Sequence, residues 1–157
     1  MQMVPQHHCL GLVAPNWLAM LTAACLFGLV AGCGNDLPKT IPVVGKLTYN
    51  GQQMPGPGFI TFTPIEVAEG SIRRPGRALF DESGVFEATS WNPGDGLAPG
   101  RYLLRIDCWQ VEPTMQSPSG KSHIPERYNS LDKGGITVDV SPESRSIDMG
   151  IINIESP

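Results

Sequence analysis

The sequence RYLLRIDCW, residues 101–109, contains the clearest strand pattern in the chain. Every second residue of this stretch is apolar: Tyr102, Leu104, Ile106 and Cys108. The positions between them are mostly polar until Trp109. Because successive side chains of a strand point to opposite faces, this stretch predicts a strand with one buried face.

The sequence on either side consists of short alternating runs separated by Gly, Pro and Asn, which is typical of an all-β sandwich or barrel. Six further strands are predicted, at Val43–Tyr49, Phe59–Thr63, Arg77–Phe80, Val85–Thr89, Ile136–Val140 and Ser146–Ile154. Together with Arg101–Trp109 they make seven strands. No segment after Cys33 shows a convincing helical period.

The segment Gln110–Gly135 has 26 residues and no clear strand, which is long for a connection in a small domain. Such segments are usually functional or disordered. Ile124, Tyr128 and Leu131 predict that its second half packs against the domain, whereas we expect mobility around Met115–Lys121.

The N-terminal part of the chain has the pattern of an export signal. Trp17–Val30 is an uncharged run of 14 residues, and the sequence Val30-Ala31-Gly32-Cys33 that ends it resembles a bacterial lipobox. The match departs from the usual pattern in one respect, because the first 16 residues contain no Lys or Arg. The alternative is an uncleaved anchor over Cys9–Cys33, although Pro15 and Asn16 interrupt it.

The lipobox predicts a signal peptide over residues 1–32, lipidation of Cys33, and a lipidated tether over residues 33–42. Each buried methylene of an acyl chain contributes about 0.8 kcal/mol, so several chains anchor a protein stably where one does so only reversibly. We therefore expect the membrane to be one partner, through the lipid at Cys33. The expected location is the periplasmic side or the outer cell surface.

Four motifs recur in the order found in a known family: VGKLTYNG at 44–51, FITF at 59–62, DESGVF at 81–86 and LAPGRY at 97–102. They resemble carboxypeptidase regulatory-like, or transthyretin-like, domains. With the lipobox and IPERY at 124–128, the chain is similar to small lipoproteins of planctomycete bacteria. One departure is Phe80, where the family usually has Thr. The resemblance implies a seven-stranded antiparallel Greek-key sandwich over residues 43–157, which accompanies enzymes without doing their chemistry.

No catalytic, metal or cofactor site is predicted. His123 is the single histidine after Cys33, whereas a zinc site needs two or three ligands. The same histidine would have to serve a Ser-His-Asp site, and no Gly-x-Ser-x-Gly turn presents a nucleophile. The sequence Asp81-Glu82-Ser83-Gly84 is interpreted as a hairpin turn rather than a calcium loop. We expect the protein not to be an enzyme.

Charge and cysteine usage exclude two further classes. The net charge is -4, and the basic cluster Arg73–Arg77 has no stacking aromatic residues, so no nucleic-acid partner is expected. Of the four cysteines, Cys9 and Cys25 precede the lipobox and Cys33 is the lipid site. Cys108 is therefore alone, and we predict it to be a buried, inert thiol without a disulfide.

Three aromatic residues are candidates for defined roles. Tyr102 resembles the tyrosine corner of Greek-key sandwiches, whose hydroxyl bonds back to the backbone a few residues upstream. Trp109 is predicted on the polar face of its strand, and Trp91 lies in the loop Ser90–Gly100. Both rings could therefore be exposed, and one hypothesis is that they form a shared binding patch. The alternative is that each ring covers the core beneath a loop.

The preferred function is a lipid-anchored cell-envelope module with a non-catalytic binding or structural role. Its partner would be an unidentified envelope protein or polysaccharide. The alternative is a carbohydrate-binding module that uses exposed Trp91 and Trp109.

Overall fold

The computed structural model describes residues 37–130 and 135–156. The lipobox residues Val30, Ala31, Gly32 and Cys33 lie outside the described residues, as does Leu131. Among the described residues, no helix is long and apolar enough to span a bilayer.

The described part of the chain is all-β, with nine strands and one short helix. The elements in chain order are β1 (Val43–Tyr49), β2 (Gly58–Val67), β3 (Gly76–Phe80), β4 (Val85–Glu87), β5 (Gly100–Asp107), β6 (Trp109–Val111), β7 (Lys121–Ser122), α1 (Glu126–Asn129), β8 (Thr137–Val140) and β9 (Ile147–Ile154). Seven of these strands coincide with the predicted ones to within a few residues. The prediction of seven strands missed β6 and β7, which are too short to show a periodic pattern.

Three sheets are formed, in the orders β4-β1-β9, β3-β2-β5-β8 and β6-β7. The prediction of an entirely antiparallel arrangement is wrong for one pair, because β1 and β9 run parallel from Val43 opposite Ile147 to Tyr49 opposite Ile154. The side-chain period is two in either kind of pairing, so alternation cannot distinguish them. The chain crosses to the second sheet between β1 and β9, which supplies the long connection that a parallel pair requires.

The two larger sheets share one hydrophobic core and are sandwich-like. Leu47 and Phe86 come from one sheet, and Ile60, Phe62 and Leu104 from the other; all five side chains are buried. The rings of Phe62 and Phe86 meet across the two sheets, with centroids 6.3 Å apart. Burying a side chain of this size contributes about 1.5–3 kcal/mol, so these inward positions supply most of the stabilisation.

The turn between β3 and β4, which lie in different sheets, depends on the backbone freedom of Gly84, which has a φ of +74°. A Cβ atom at this position would collide with the Leu47 carbonyl oxygen. Glycine adopts this conformation without steric cost and permits the close approach of β1. The turn predicted from Asp81-Glu82-Ser83-Gly84 therefore also fixes the register of β4 on β1.

The predicted tether is partly incorporated into the domain. Ile41 is 1% exposed and belongs to the core, and its backbone exchanges two hydrogen bonds with Leu97, of 2.8 and 3.0 Å. The Lys39 ammonium group donates a 2.6 Å hydrogen bond to the Pro142 carbonyl. The core therefore begins two residues before the predicted boundary at residue 43, because a single apolar residue between prolines gives no strand pattern.

Candidate functional site

The segment after β5 turns back along that strand and creates a concave surface. The strand predicted as 101–109 breaks at Cys108, and Trp109 begins β6, where it pairs with Ser122 of β7. The Cys108 carbonyl accepts hydrogen bonds from the His123 amide (2.8 Å) and the Ser122 hydroxyl (3.3 Å). These bonds return the chain to the end of β5.

The second half of the same segment is held by the core. Ile124 is 4% exposed, and Tyr128 packs against the core cluster. The Tyr128 hydroxyl also accepts a 3.2 Å hydrogen bond from the Glu155 amide, just beyond β9. The segment Gln110–Gly135, for which no strand was predicted, thus contains β6, β7 and α1, and Ile124 and Tyr128 pack as expected.

A groove of about 530 Å³ lies between the end of β5 and this segment. We call it the Trp109 groove, defined by its lining residues Arg105, Asp107, Trp109, Pro118, Ser119, Gly120, Ser122, Ile124, Glu126 and Asn129. Its wall combines one aromatic ring with hydroxyl, amide, carboxylate and guanidinium groups. A concave site with an apolar surface and a few convergent polar groups is the usual form of a ligand site.

An ion pair forms the floor of the Trp109 groove. The Arg105 Nη2 atom donates a 3.1 Å hydrogen bond to Asp107 Oδ1, and Arg105 Nε lies 2.9 Å from Asp107 Oδ2. The second contact lacks hydrogen-bond alignment, so we regard it as charge pairing. The Asp107 side chain is 0% exposed and that of Arg105 is 42% exposed.

The buried Asp107 carboxylate fixes the position of the Arg105 side chain in the groove. A fully buried carboxylate is costly unless a positive charge compensates it, so Asp107 requires Arg105 in this position. The guanidinium carries five N–H donors in a rigid fork, and Asp107 engages one edge of it. Arg105 is therefore held by Asp107, while its side chain is 42% exposed and lines the groove.

The two tryptophans have different surroundings. Trp109 is half-buried and lines the groove. Trp91 is also half-buried, but the Arg74 guanidinium covers its ring at 5.0 Å from the centroid. Its backbone amide donates a 3.0 Å hydrogen bond to Asp95 within the same loop.

The structure does not bring the two tryptophans together. Thr89 bridges Arg77 on β3, and β2 lies between β3 and β5. Three strand spacings of about 4.8 Å therefore separate the chain at Thr89 from β5, and Trp91 continues along the strands in the direction away from Trp109. The predicted shared patch of Trp91 and Trp109 is not formed, because strand alternation does not reveal which end of the sheet a loop reaches.

Tyr102 has a structural position. Its side chain is 2% exposed, and its hydroxyl donates a 2.8 Å hydrogen bond to the Ala98 carbonyl, four residues upstream. Burial raises the pKa of this hydroxyl above its ordinary value. This is the geometry expected of a tyrosine corner, and it ties the end of the Ser90–Gly100 loop to β5.

The remaining titratable candidates are engaged in structural roles. Cys108 is 0% exposed, and burial raises the pKa of its thiol, which disfavours the reactive thiolate. Asp81 accepts a 2.8 Å hydrogen bond from the Ser83 amide and a second from its hydroxyl. These bonds lower the pKa of Asp81 and hold the turn between β3 and β4. In the described part of the chain, no group of three His, Cys, Asp or Glu residues is arranged to hold a metal ion.

Sequence reasoning missed the polar members of the groove. The alternation predicts Arg105 and Asp107 on the polar face of their strand, but Asp107 is fully buried, and both residues line a groove together with residues from Pro118 to Asn129. The alternation is purely local, whereas the covering segment arrives from more than ten residues away. The available signal was the length of Gln110–Gly135, which marked the region without identifying its side chains.

No protein-family model and no curated protein matches the sequence. Among solved structures, the chain is similar to a 9R-lipoxygenase from Cyanothece PCC8801, with 12% identity and a TM-score of 0.38. The match covers 86% of this chain and spans 20% of the length of that one. A likeness at this level carries no argument, so the function is inferred from the residues themselves.

Proposed function

We propose that this chain is a lipid-anchored cell-envelope module with a non-catalytic binding or structural role. The observation that carries the proposal is the lipobox Val30-Ala31-Gly32-Cys33 placed a few residues before an all-β domain. Cleavage before Cys33 would leave the lipidated cysteine as the new N-terminus. The periplasmic side or the outer cell surface is the corresponding location.

The position of Ile41 sharpens this proposal. Its burial leaves residues 34–40, seven residues, between the lipid site and the first core residue. At no more than about 3.6 Å per residue, such a connection reaches about 25 Å. The domain would then lie within about 25 Å of the membrane surface.

The finer description of the fold is also part of the proposal. The sheets β4-β1-β9 and β3-β2-β5-β8 contain seven strands between them, in keeping with a Greek-key sandwich of the carboxypeptidase regulatory-like, or transthyretin-like, kind. The tyrosine-corner bond from Tyr102 to Ala98 supports the same description. The hairpin β6-β7 would be an addition to that frame.

A non-catalytic role agrees with how the reactive side chains are used. The Cys108 thiol is buried, Asp81 holds a turn, and Asp95 accepts hydrogen bonds from backbone amides. Each of these groups is occupied by the fold itself. The Trp109 groove presents mostly groups that hold a ligand by contact and hydrogen bonding.

The test is the chemistry of the native N-terminus. Cells that make the full chain are fed an alkyne-bearing fatty acid, and the purified protein is analysed by mass spectrometry. We expect label on Cys33, no peptide from residues 1–32, and complete loss of label in Cys33→Ser. Cys108→Ser is the matched control and should label like the natural chain, because that thiol is buried.

Two results would contradict the proposal. Peptides from residues 1–32 in the mature protein would favour the uncleaved anchor. Label that persists in Cys33→Ser would show that another residue carries the lipid.

A further inference from the structure

We propose that the outer face of the sheet β4-β1-β9 binds a second copy of this chain and so forms a symmetric dimer. We call this surface the β1 face and define it by six side chains: Val44, Lys46, Val85, Glu87, Asp148 and Ile151. The inference goes beyond the proposed function and does not depend on a lipid at Cys33. It follows from the arrangement of charged and apolar side chains on this face.

The strand register places the six side chains of the β1 face in two rows across the sheet. The first row is Glu87, Val44 and Asp148, and the second is Val85, Lys46 and Ile151. In each row the middle residue belongs to β1 and its neighbours belong to β4 and β9. All six side chains are exposed. One row is therefore an apolar residue between two carboxylates, and the other is a cation between two apolar residues.

The apolar members of the β1 face are accessible to a partner. Val85 is 59% exposed and Ile151 is 72% exposed, and Val44 is 37% exposed. A depression of about 310 Å³ lies among these side chains, where the pairing of β1 with β9 shifts register between Val44 and Lys46. Exposed apolar side chains with charged groups at their rim are typical of an interaction surface.

A two-fold axis that runs across the strands, between the two rows, makes the face complementary to itself. The first row of one copy then faces the second row of the other, as an isologous interface requires. Lys46 lies over Val44 of the partner subunit, between Glu87 of the partner subunit and Asp148 of the partner subunit. Neighbouring strands are about 4.8 Å apart, so the flexible Lys46 side chain can reach either carboxylate. The axis forms each of these contacts twice.

Charge disfavours the other face-to-face arrangement. A two-fold axis parallel to the strands would place the first row of each copy opposite the same row of the other. Four carboxylates, from Glu87 and Asp148 of both copies, would then meet without a cation between them. Like charges directly opposite each other are destabilising. The charges therefore select one of the two arrangements.

The β1 face is small, so the dimer should be weak. Three strands at about 4.8 Å spacing and the seven residues of β1 give a surface of about 14 by 20 Å. This is below the standard size of a stable protein–protein interface. Anchoring of both copies in one membrane would raise their effective concentration. We therefore expect a reversible equilibrium between monomer and dimer.

Sedimentation equilibrium of the full chain in density-matched detergent micelles measures this association. As the protein concentration rises to about 1 mM, the average mass should increase from one chain towards two. Lys46→Glu should weaken the association at least tenfold, because the substitution acts twice in a symmetric dimer. Val85→Thr should weaken it severalfold. The matched control is Val111→Thr on β6, where the valine is 55% exposed, and it should change nothing.

A mixture of two charge variants tests the proposed orientation. Lys46→Glu removes the cation of the β1 face, and Glu87→Lys adds a second one. Each variant alone places like charges opposite each other and should associate weakly. In the mixture, the new carboxylate of the first variant meets the new ammonium group of the second. The mixed dimer should therefore be at least tenfold tighter than the dimer of Lys46→Glu alone.

The inference is overturned if the natural chain stays monomeric over the whole concentration range, or if Lys46→Glu and Val85→Thr leave the average mass unchanged. It is also overturned if the mixture associates no more tightly than the separate variants. All the substituted residues are exposed, and circular dichroism checks that each variant is folded. None of these results affects lipid labelling at Cys33, so failure of the dimer and failure of the anchored-module proposal are separate outcomes.

Discussion

Trp91 and Trp109 lie in regions that look alike in the sequence and differ in the structure. Trp91 and Trp109 are both half-buried, and each stands at the start of a segment rich in Gly, Pro and Ser. In the Trp91 loop, Ser90–Gly100, the Asp95 carboxylate accepts hydrogen bonds from amides of the loop itself, and an arginine lies over the Trp91 ring. The Trp109 segment, by contrast, arranges polar groups around an open groove. Exposure of an aromatic ring is therefore a weaker sign of a site than the direction in which its polar neighbours point.

The range of the interactions explains the difference. Asp95 accepts hydrogen bonds from the amides of Ser90, Trp91 and Asn92, at 2.7, 3.0 and 3.0 Å, all within five residues of itself. The groove instead depends on contacts between β5 and residues that follow it by more than ten positions. The Trp91 loop can form from contacts within its own residues, as a turn can. The Trp109 groove forms only when distant segments of the chain have come together.

The largest effect should come from the floor of the Trp109 groove. Arg105→Ala leaves the fully buried Asp107 carboxylate without its partner, and we expect a loss of about 2–3 kcal/mol in the free energy of unfolding. This is at or below the low end of the range for buried pairs, because the arginine is partly exposed. Urea unfolding followed by circular dichroism measures it.

The control uses an exposed ion pair that joins β5 to its neighbour β8. Arg101 lies 3.2 Å from Asp139, and both side chains are exposed, at 44% and 75%. Arg101→Ala should cost less than about 1 kcal/mol. In the double variant Arg105→Ala, Asp107→Asn the charge is absent, and part of the lost stability should return. Equal costs for Arg101→Ala and Arg105→Ala would contradict the role assigned to Asp107.

The next effect concerns the closure of the Trp91 loop. Asp95→Ala removes the acceptor of three backbone amides, and we expect a loss of about 2 kcal/mol, since hydrogen bonds to a charged group are among the stronger ones. Asp95→Asn keeps one carbonyl oxygen and should cost less. Thermal unfolding followed by circular dichroism measures both variants. An unchanged melting temperature in the Asp95→Ala chain would contradict the role assigned to Asp95.

Features that depend on neighbouring residues could be predicted from the sequence, whereas those that depend on distant segments could not. The alternation of RYLLRIDCW correctly placed Tyr102, Leu104 and Ile106 in the core, because side-chain parity is a local property. It could not give the parallel pairing of β1 with β9 or the burial of Asp107, because both depend on segments distant in the chain. The turn at Asp81–Gly84 was predictable for the same local reason as the strands.

The smallest effect is expected at the far end of the Trp91 loop. Tyr102→Phe removes the 2.8 Å hydrogen bond to Ala98 and should lower the free energy of unfolding by about 1 kcal/mol, while binding in the groove is retained. Differential scanning calorimetry is the measurement. An unchanged melting temperature would count against the tyrosine corner.

Tyr102 should make the free energy of unfolding decrease as the pH rises into the alkaline range. Burial raises the pKa of Tyr102 in the folded chain, so the unfolded chain ionises first as the pH rises. The contribution to stability is complete below a pH of about 10 and is lost as the pH rises through the folded pKa. Tyr102→Phe should therefore lose less stability than the natural chain at alkaline pH.

The most direct test of the central comparison is photo-crosslinking in intact cells. A photoreactive amino acid is placed at Ser119, an exposed residue lining the Trp109 groove, and separately at Asn92, an exposed residue of the Trp91 loop. We expect an adduct with an envelope component from position 119 and none from position 92. The same adduct from both positions, or an adduct from position 92 alone, would contradict a binding site at the Trp109 groove.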